Sequence, residues 1–529
     1  MPPDMLTMHG PVPLLHDYLD ASARALSDKI ALVCGQQRLS YGDLETRANV
    51  LANHLHGAGV ARGDRVVIFA DNTVETVVSF WAVLKANAVS VVVNPLTKRD
   101  KLHYLLGDCR PTALITDQHL HAQFATPVQQ CDYLRCVIVS GTISDDALAA
   151  LPHARRWDDV LAHGDGFGDG FRAPPRRCID IDLAAIIYTS GSTGDAKGVM
   201  LTHRNMLTAC TSISAYLEIQ PDEVILGVLP LAFDYGLYQM IMAFRSGARL
   251  VLERSFAFPA QVLNVMVAEG VTGFPGVPTI FAMLAELRSL GRYDLSRIRY
   301  VTNTAANLPV KHITMLRALF PAARIYSMYG LTECKRCTFL PPADIDRKPS
   351  SVGIAIPNTE LWIVDDHGQK ILDGAVGQLV IRGATVMKGY WEKPAATAEK
   401  LKPGPLPGEV VLYTGDLCRL DDEGYLYFVG RMDDMIKSRG EKVAPKEVEH
   451  ALMNIPGVKE AAVIGVPDDV LGQAVKAFVV LEGGVALSEA QLRNACQGRL
   501  ENFMVPKHIA LVASLPRTDS GKIKKTGLT

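Results

Sequence analysis

Residues 188–199 read Tyr188-Thr189-Ser190-Gly191-Ser192-Thr193-Gly194-Asp195-Ala196-Lys197-Gly198-Val199. They follow an apolar run, 183–187, that reads as a buried strand. Such a loop has three glycines, four Ser/Thr hydroxyls and one lysine, which suits it to hold phosphate. Glycine lets a backbone approach an anion closely, because no Cβ stands in the way. Clustered N–H groups and hydroxyls donate to phosphate oxygens, and Lys197 adds a mobile positive charge. A plain Ser/Gly surface loop would not need so many donors directly behind a strand. The spacing differs from the P-loop of kinases and GTPases, which has a second Gly five residues after the first, then Lys and Ser/Thr. Here Ala196 stands at the second Gly, and Gly198 stands where the magnesium-binding hydroxyl would follow Lys197.

Four further segments carry chemistry-bearing residues. Tyr329-Gly330-Leu331-Thr332-Glu333 combines an aromatic ring, a hydroxyl and a carboxylate. Thr414-Gly415-Asp416 is a turn with an acid, a residue type that accepts from ribose hydroxyls in other nucleotide sites. Gly430-Arg431-Met432-Asp433-Asp434 is charged, and Pro516-Arg517-Thr518-Asp519-Ser520-Gly521-Lys522 ends the chain's last motif. Taken alone, these read as a strand-to-turn junction, a common turn, a solvated linker and a solvated terminal lysine.

Together and in this order they resemble the adenylate-forming superfamily: acyl- and aryl-CoA synthetases, adenylation domains of peptide synthetases, and luciferases. The resemblance spans most of the chain, from Leu39-Ser40-Tyr41 to Lys522. It implies that Thr189, Ser190, Gly191, Ser192, Thr193, Gly194 and Lys197 hold the ATP phosphates. It places Tyr329 on the adenine, Thr332 at the α-phosphate, and Asp416 and Arg431 at the ribose. Glu333, with Thr189, would bind Mg2+, a hard cation that takes carboxylate oxygen and substrate phosphate. Lys522 would bridge the substrate carboxylate and the phosphate during adenylation. Asp433 would be a hinge, and the Ser438-Arg439-Gly440-Glu441-Lys442 segment, through Gly440, would line a thiol tunnel for CoA or a phosphopantetheinyl carrier protein.

The acid pocket would come from Phe233, Asp234, Gly276, Thr304 and Ala305. Many fatty and aryl acid ligases carry a histidine where this chain reads Phe233-Asp234. An aspartate there resembles amino-acid-activating members, in which it pairs with the substrate ammonium. The 438–442 segment looks closer to acyl-CoA ligases, so the substrate stays open between carboxylic and amino acids. The implied reaction is ATP-dependent acyl-adenylate formation followed by transfer to a thiol. An inactive adenylate-binding or regulatory homologue would keep the fold, but Lys197, Glu333, Asp416, Arg431 and Lys522 are all present. A luciferase-like oxygenase would share every motif.

Elements must hold these groups. Short β-rich runs at 65–70, 89–93, 113–116 and 136–140 alternate with helical spacing, as at 73–87. That alternation favours helix-covered parallel sheets. After about residue 430 the texture changes to helices at 447–454 and 488–500 and strands at 461–466 and 475–481. The expected fold is α/β, with a large N-terminal domain (1–432) and a small, mobile α+β C-terminal domain (433–529). The glycines at 164, 166, 168 and 170 have the wrong spacing for a nucleotide fingerprint and lead into Pro174-Pro175, as a surface connection would.

Composition is that of a soluble globular protein. The 529 residues are 48% hydrophobic and 21% charged, with a net charge of −2, so no basic excess points to nucleic acid or an anionic membrane. No run approaches the ~18 apolar residues of a membrane span. The opening Met1-Pro2-Pro3-Asp4 lacks the basic and apolar regions of a signal peptide. Ten scattered cysteines suit a reducing, cytoplasmic setting. One lone Cys-x-x-Cys, Cys334 and Cys337, lacks the second pair or histidines of a zinc site; a thioredoxin-like redox role is the alternative to the expected incidental spacing.

Overall fold

The computed structural model describes residues 14–162, 172–189, 196–287, 289–304, 308–371, 374–438, 441–468, 471–500, 502–518, 523–525 and 527–528. It divides into two compact units. The first comprises residues 1–345, 356–359 and 383–399; the second comprises 346–355, 360–382 and 400–529.

The first unit holds two large sheets. In one, strands Thr338–Leu340, Arg324–Tyr329, Tyr300–Asn303, Gly273–Gly276, Val224–Gly227, Arg249–Leu252, Ile30–Cys34 and Gln37–Ser40 lie side by side. The six inner strands run parallel. The other sheet runs Gly389–Tyr390, Lys197–Thr202, Leu183–Thr189, Val89–Val93, Arg65–Phe69, Ala113–Asp117, Cys136–Ser140 and Ala154–Arg156. Its valine- and isoleucine-rich strands are continuously buried, as parallel strands covered on both faces must be. The helix Val74–Lys85 is buried on every side. Its Trp81 ring meets Phe244 of helix Asp234–Arg245 at 6.0 Å. Its buried Lys85 is ion-paired with Asp20 and Glu45, which offsets the cost of taking an ammonium out of water.

The second unit also holds two sheets. Strands Thr359–Val364, Gly377–Gly383, Val410–Leu420 and Leu401–Pro403 form one, with Leu426–Arg431 pairing antiparallel to Val410–Leu420. The sequence reading did not foresee this sheet. The other joins Glu441–Val443, Ile436–Ser438, Gly472–Leu481, Val458–Asp468 and His508–Leu511. Helices Pro445–Met453 and Glu489–Gln497 contribute Val448, Leu452, Leu492 and Cys496 to its core. The architecture is the expected α/β fold with a smaller C-terminal α+β portion. No helix among the described residues is long and apolar enough to cross a membrane.

Candidate active site

The phosphate-loop segment runs between two paired strands. Strand Leu183–Thr189 returns antiparallel as Lys197–Thr202, with Thr189 opposite Lys197, and Thr189 Oγ1 donates to the Lys197 carbonyl at 3.4 Å. Ser190, Gly191, Ser192, Thr193 and Gly194 lie outside the described residues. The hairpin base is fixed tightly. A Cβ at Gly198 would come within 2.7 Å of Ile186 Cγ2, so only glycine fits there. Tyr188 donates to Asp108.

Strand Gly389–Tyr390 pairs beside the hairpin, with Tyr390 opposite Val199. This strand brings in a residue that the motifs did not reveal. The Tyr390 hydroxyl donates to Glu333 Oε1 at 2.7 Å, and Lys197 Nζ lies 5.5 Å from the centre of its ring. Tyr390 therefore joins the hairpin base to the turn that carries Glu333. Met387 N also donates to the Glu333 carbonyl at 2.7 Å. The only sequence signal was an aromatic pair, Tyr390-Trp391, in a segment without strand-like length.

Tyr329, Thr332 and Glu333 sit where strand Arg324–Tyr329 ends, at the C-terminal edge of the parallel strands. This is the edge at which ligands bind in open α/β sheets. All three are half-buried. The turn folds back tightly: Cys334 N donates to the Leu331 carbonyl and Cys337 N to the Tyr329 carbonyl. A Cβ at Gly330 would lie 1.9 Å from the Lys335 carbonyl oxygen. Glu333 offers carboxylate oxygen at a half-buried position next to the Thr189 hairpin, a donor set that fits a magnesium ion. The cysteines of the Cys-x-x-Cys are both fully buried, 3.0 Å apart. They pin the far side of this turn.

Phe233, Asp234, Gly276 and Thr304, expected to line the acid pocket, lie at the same edge. Asp234 is the first residue of helix Asp234–Arg245 and is buried; half-buried Phe233 precedes it, its ring 6.4 Å from Tyr235. The Tyr235 hydroxyl bonds to the Thr302 carbonyl at 2.9 Å, and Gly276 lies opposite Asn303 on the adjacent strand. Thr304 follows, buried, with its hydroxyl 3.5 Å from Arg336 Nη1. Ala305 lies outside the described residues. Arg336 and its neighbour Lys335 are buried cations that motif reading passed over. Burial pushes the Lys335 ammonium down to about 8, and the Asp234 carboxylate opposes that shift. The signal was there to find: two adjacent charges inside an otherwise apolar Cys334–Leu340 stretch.

In the second unit, Asp416 lies opposite Arg431 across paired strands, with Arg431 Nη1 3.5 Å from its carboxylate. Thr414 shapes the turn: its hydroxyl donates to the Leu379 carbonyl at 2.9 Å and accepts from Asp416 N at 3.0 Å. Gly415 has φ +80°, a conformation glycine adopts freely. The two proposed ribose ligands are thus neighbours. Asp433 lies in a short 3-10 turn, Met432–Asp434, immediately after that strand. Gly440 and Lys522 lie outside the described residues; Arg517 and Ile523 form an isolated antiparallel bridge.

Comparison with known proteins agrees with this geometry. The family model for the AMP-binding enzyme matches residues 19–391, and that for the AMP-binding enzyme C-terminal domain matches 447–522. The chain is 31% identical to a long-chain-fatty-acid–CoA ligase of Bacillus subtilis, over 97% of this chain and 94% of that protein. It is 28% identical to an 11% portion of gramicidin S synthase 2 of Brevibacillus brevis, which spans 97% of this chain. The solved anthranilate CoA ligase AuaEII in complex with anthranoyl-AMP superposes with a TM-score of 0.87 at 28% identity, covering 98% of this chain and 97% of that one. On these matches the chain belongs to the AMP-binding enzyme family, the adenylate-forming superfamily that its motifs resemble.

Proposed function

We propose that this chain activates a carboxylic or amino acid as its acyl-adenylate and transfers it to a thiol, either of CoA or of a phosphopantetheinyl carrier protein. The observation that carries this reading is the link from Lys197 through Tyr390 to Glu333, which sets the phosphate hairpin against the Tyr329–Glu333 turn. Its CoA-ligase relatives support the thiol step.

A carboxylate is a poor electrophile because its leaving group would be oxide. Attack of its oxygen on the α-phosphorus of ATP releases pyrophosphate and gives a mixed anhydride with a good leaving group. The thiol then attacks the carbonyl carbon, and AMP departs. No protein nucleophile is required, so the chain's work is positioning and charge. Lys197 and residues 189–194 hold the phosphates, Asp416 and Arg431 hold the ribose, and Tyr329 holds the adenine. Lys522 bridges the carboxylate and the α-phosphate. A magnesium ion held by Glu333 and the Thr189 hydroxyl supplies charge neutralisation at the phosphates when bound. Lys522 and the thiol need the same face of the substrate in turn, and a pivot at Asp433, between domains 1–432 and 433–529, would exchange them.

The test is ATP–pyrophosphate exchange across fatty, aryl and amino acids. Active acids are then assayed for thioester formation with CoA and with a holo carrier protein. Absence of exchange with every acid would refute the reading in favour of an inactive homologue. Light emission with oxygen consumption would favour the luciferase-like one.

A further inference from the structure

The turn after Glu333 carries charge that the nucleotide chemistry does not use. Lys335 and Arg336 are 2% and 5% exposed. Lys335 Nζ lies 5.0 Å from the centre of the Tyr238 ring, and the Arg336 guanidinium lies 4.5 Å from that of Tyr235. The two tyrosines are three residues apart on helix Asp234–Arg245, so both cations lie over one face of its first turns. Arg336 also reaches the Thr304 hydroxyl, which ties this face to the acid pocket.

These groups are incompletely paired. Lys335 Nζ, Arg336 Nε and the Tyr238 hydroxyl have no hydrogen-bond partner among the described residues. Buried polar groups in native proteins are nearly always bonded. Lys335 also sits at φ +65°, a left-handed conformation that costs a non-glycine residue energy and clusters at functional sites. Two carboxylates act on Lys335, those of Asp234 and Glu333. Glu333 is bonded to Tyr390 at the nucleotide end. Lys335 Nζ is hydrogen-bonded to neither Asp234 nor Glu333, and Arg336 Nε has no partner among the described residues. Stacking on a tyrosine is too weak to offset the desolvation of a full charge. An anion arriving with the substrate would complete the set.

We propose that the acid pocket takes a substrate with a second carboxylate, held by Arg336 and Lys335 while the first carboxylate is adenylated. This deepens the adenylation reading and rests on it. Arg336, with its planar fork, is the specificity-determining residue, because it can bind a carboxylate through two parallel hydrogen bonds.

The test is exchange on linear dicarboxylic acids, each beside its monomethyl ester and the matched acid bearing a terminal amine. The diacid should be favoured on the order of 10–100-fold in kcat/KM, the usual effect of leaving a buried charged partner unmatched. Arg336→Met should bring the ratio close to one, and Arg336→Lys should recover part of it. A preference for the ester or the amine overturns the proposal, as does an undiminished preference in Arg336→Met. If no acid supports exchange, the adenylation reading fails, and calorimetry without ATP then tests the pocket by itself. Diacid binding that Arg336→Met weakens supports the second-carboxylate site, whereas equal binding of diacid and ester, or none, overturns it.

Discussion

Gly330→Ala is a small change with a large expected effect. Its added Cβ would stand 1.9 Å from the Lys335 carbonyl oxygen, 2.8 Å from the Lys335 carbonyl carbon and 2.9 Å from Arg336 Cα. All three are backbone atoms, so no side chain can rotate away. Relief to an ordinary contact of about 3.4 Å moves the turn by more than 1 Å. Overpacking of this kind typically costs about 1–3 kcal/mol of stability. The catalytic cost should be greater, because the same turn carries Thr332 and Glu333 on one limb and Lys335 and Arg336 on the other. A 1 Å misplacement of positioning groups costs on the order of 10²-fold in rate. The assay is ATP–pyrophosphate exchange beside thermal denaturation, with Gly107→Ala as the control. Gly107 lies in helix Arg99–Cys109, and nothing approaches its added Cβ within 4 Å. The control should gain about 0.5–1 kcal/mol from helix propensity and keep its exchange rate. Near-normal exchange in Gly330→Ala would refute the idea that this close approach sets the geometry of the site.

Four further outcomes are expected. Tyr390→Phe keeps the ring under Lys197 but removes the bond to Glu333; kcat/KM for ATP should fall about 10-fold, and an unchanged value would remove Tyr390 from the site. Lys522→Ala should slow acid-dependent pyrophosphate exchange by on the order of 10²–10³-fold while sparing conversion of supplied acyl-AMP to thioester; normal exchange would exclude its adenylation role. Asp433→Pro freezes φ near roughly −65°, so thioester formation should suffer and adenylation persist, whereas equal loss of both would argue against a hinge there. Acid should destabilise the fold through His203, whose buried imidazole is held down at about 4 and accepts from Leu15 N through Nδ1. The unfolded chain takes up this proton first, so the stability is complete above the ordinary value of 6.5 and is lost as pH falls toward 4. By pH 5 the loss is about 2 kcal/mol. Melting followed by circular dichroism from pH 7 to 5 should show a smaller decline in His203→Asn, which keeps an acceptor that does not titrate. Equal declines would assign the effect elsewhere.

Local signals carried much of this site. The valine-rich runs were legible as parallel strands because their burial leaves no alternation to misread, and they appear as Arg65–Phe69, Val89–Val93 and Cys136–Ser140. The 188–199 segment and the Tyr329–Glu333 turn stood out by their glycines, which neighbours crowd: the Ile186 side chain at Gly198 and the backbone of Lys335 and Arg336 at Gly330. The sheet around Val410–Leu420 was not, because its strands mix exposed and buried positions and depend on partners distant in sequence. Tyr390 was hidden for the same reason: its edge strand is two residues long and exists only against Lys197–Thr202. Lys335 and Arg336 show a different limit. A pair of adjacent cations usually marks a solvated surface, and only burial reveals that here they need an anion.

The Cys-x-x-Cys unites these observations. Its two middle residues are Lys335 and Arg336. Buried cysteines behave as small hydrophobic anchors, and Cys334 and Cys337 hold the ends of the segment in the core. That leaves the two cations to project over Tyr238 and Tyr235, one step along the chain from Glu333. Adenylation requires two substrates to meet with reacting atoms within about 3–3.5 Å. On the proposed reading, nucleotide-binding and acid-binding groups share one short turn, and covalent geometry fixes their separation without dependence on the packing of distant elements. Gly330 lets the turn close, Tyr390 ties its carboxylate to the phosphate hairpin, and the cysteine anchors set the direction of the charges. A turn with these three constraints has little freedom to tune one substrate contact without moving the other. Changes of acid preference in this chain should therefore be easier to obtain at Arg336 than at Thr332 or Glu333.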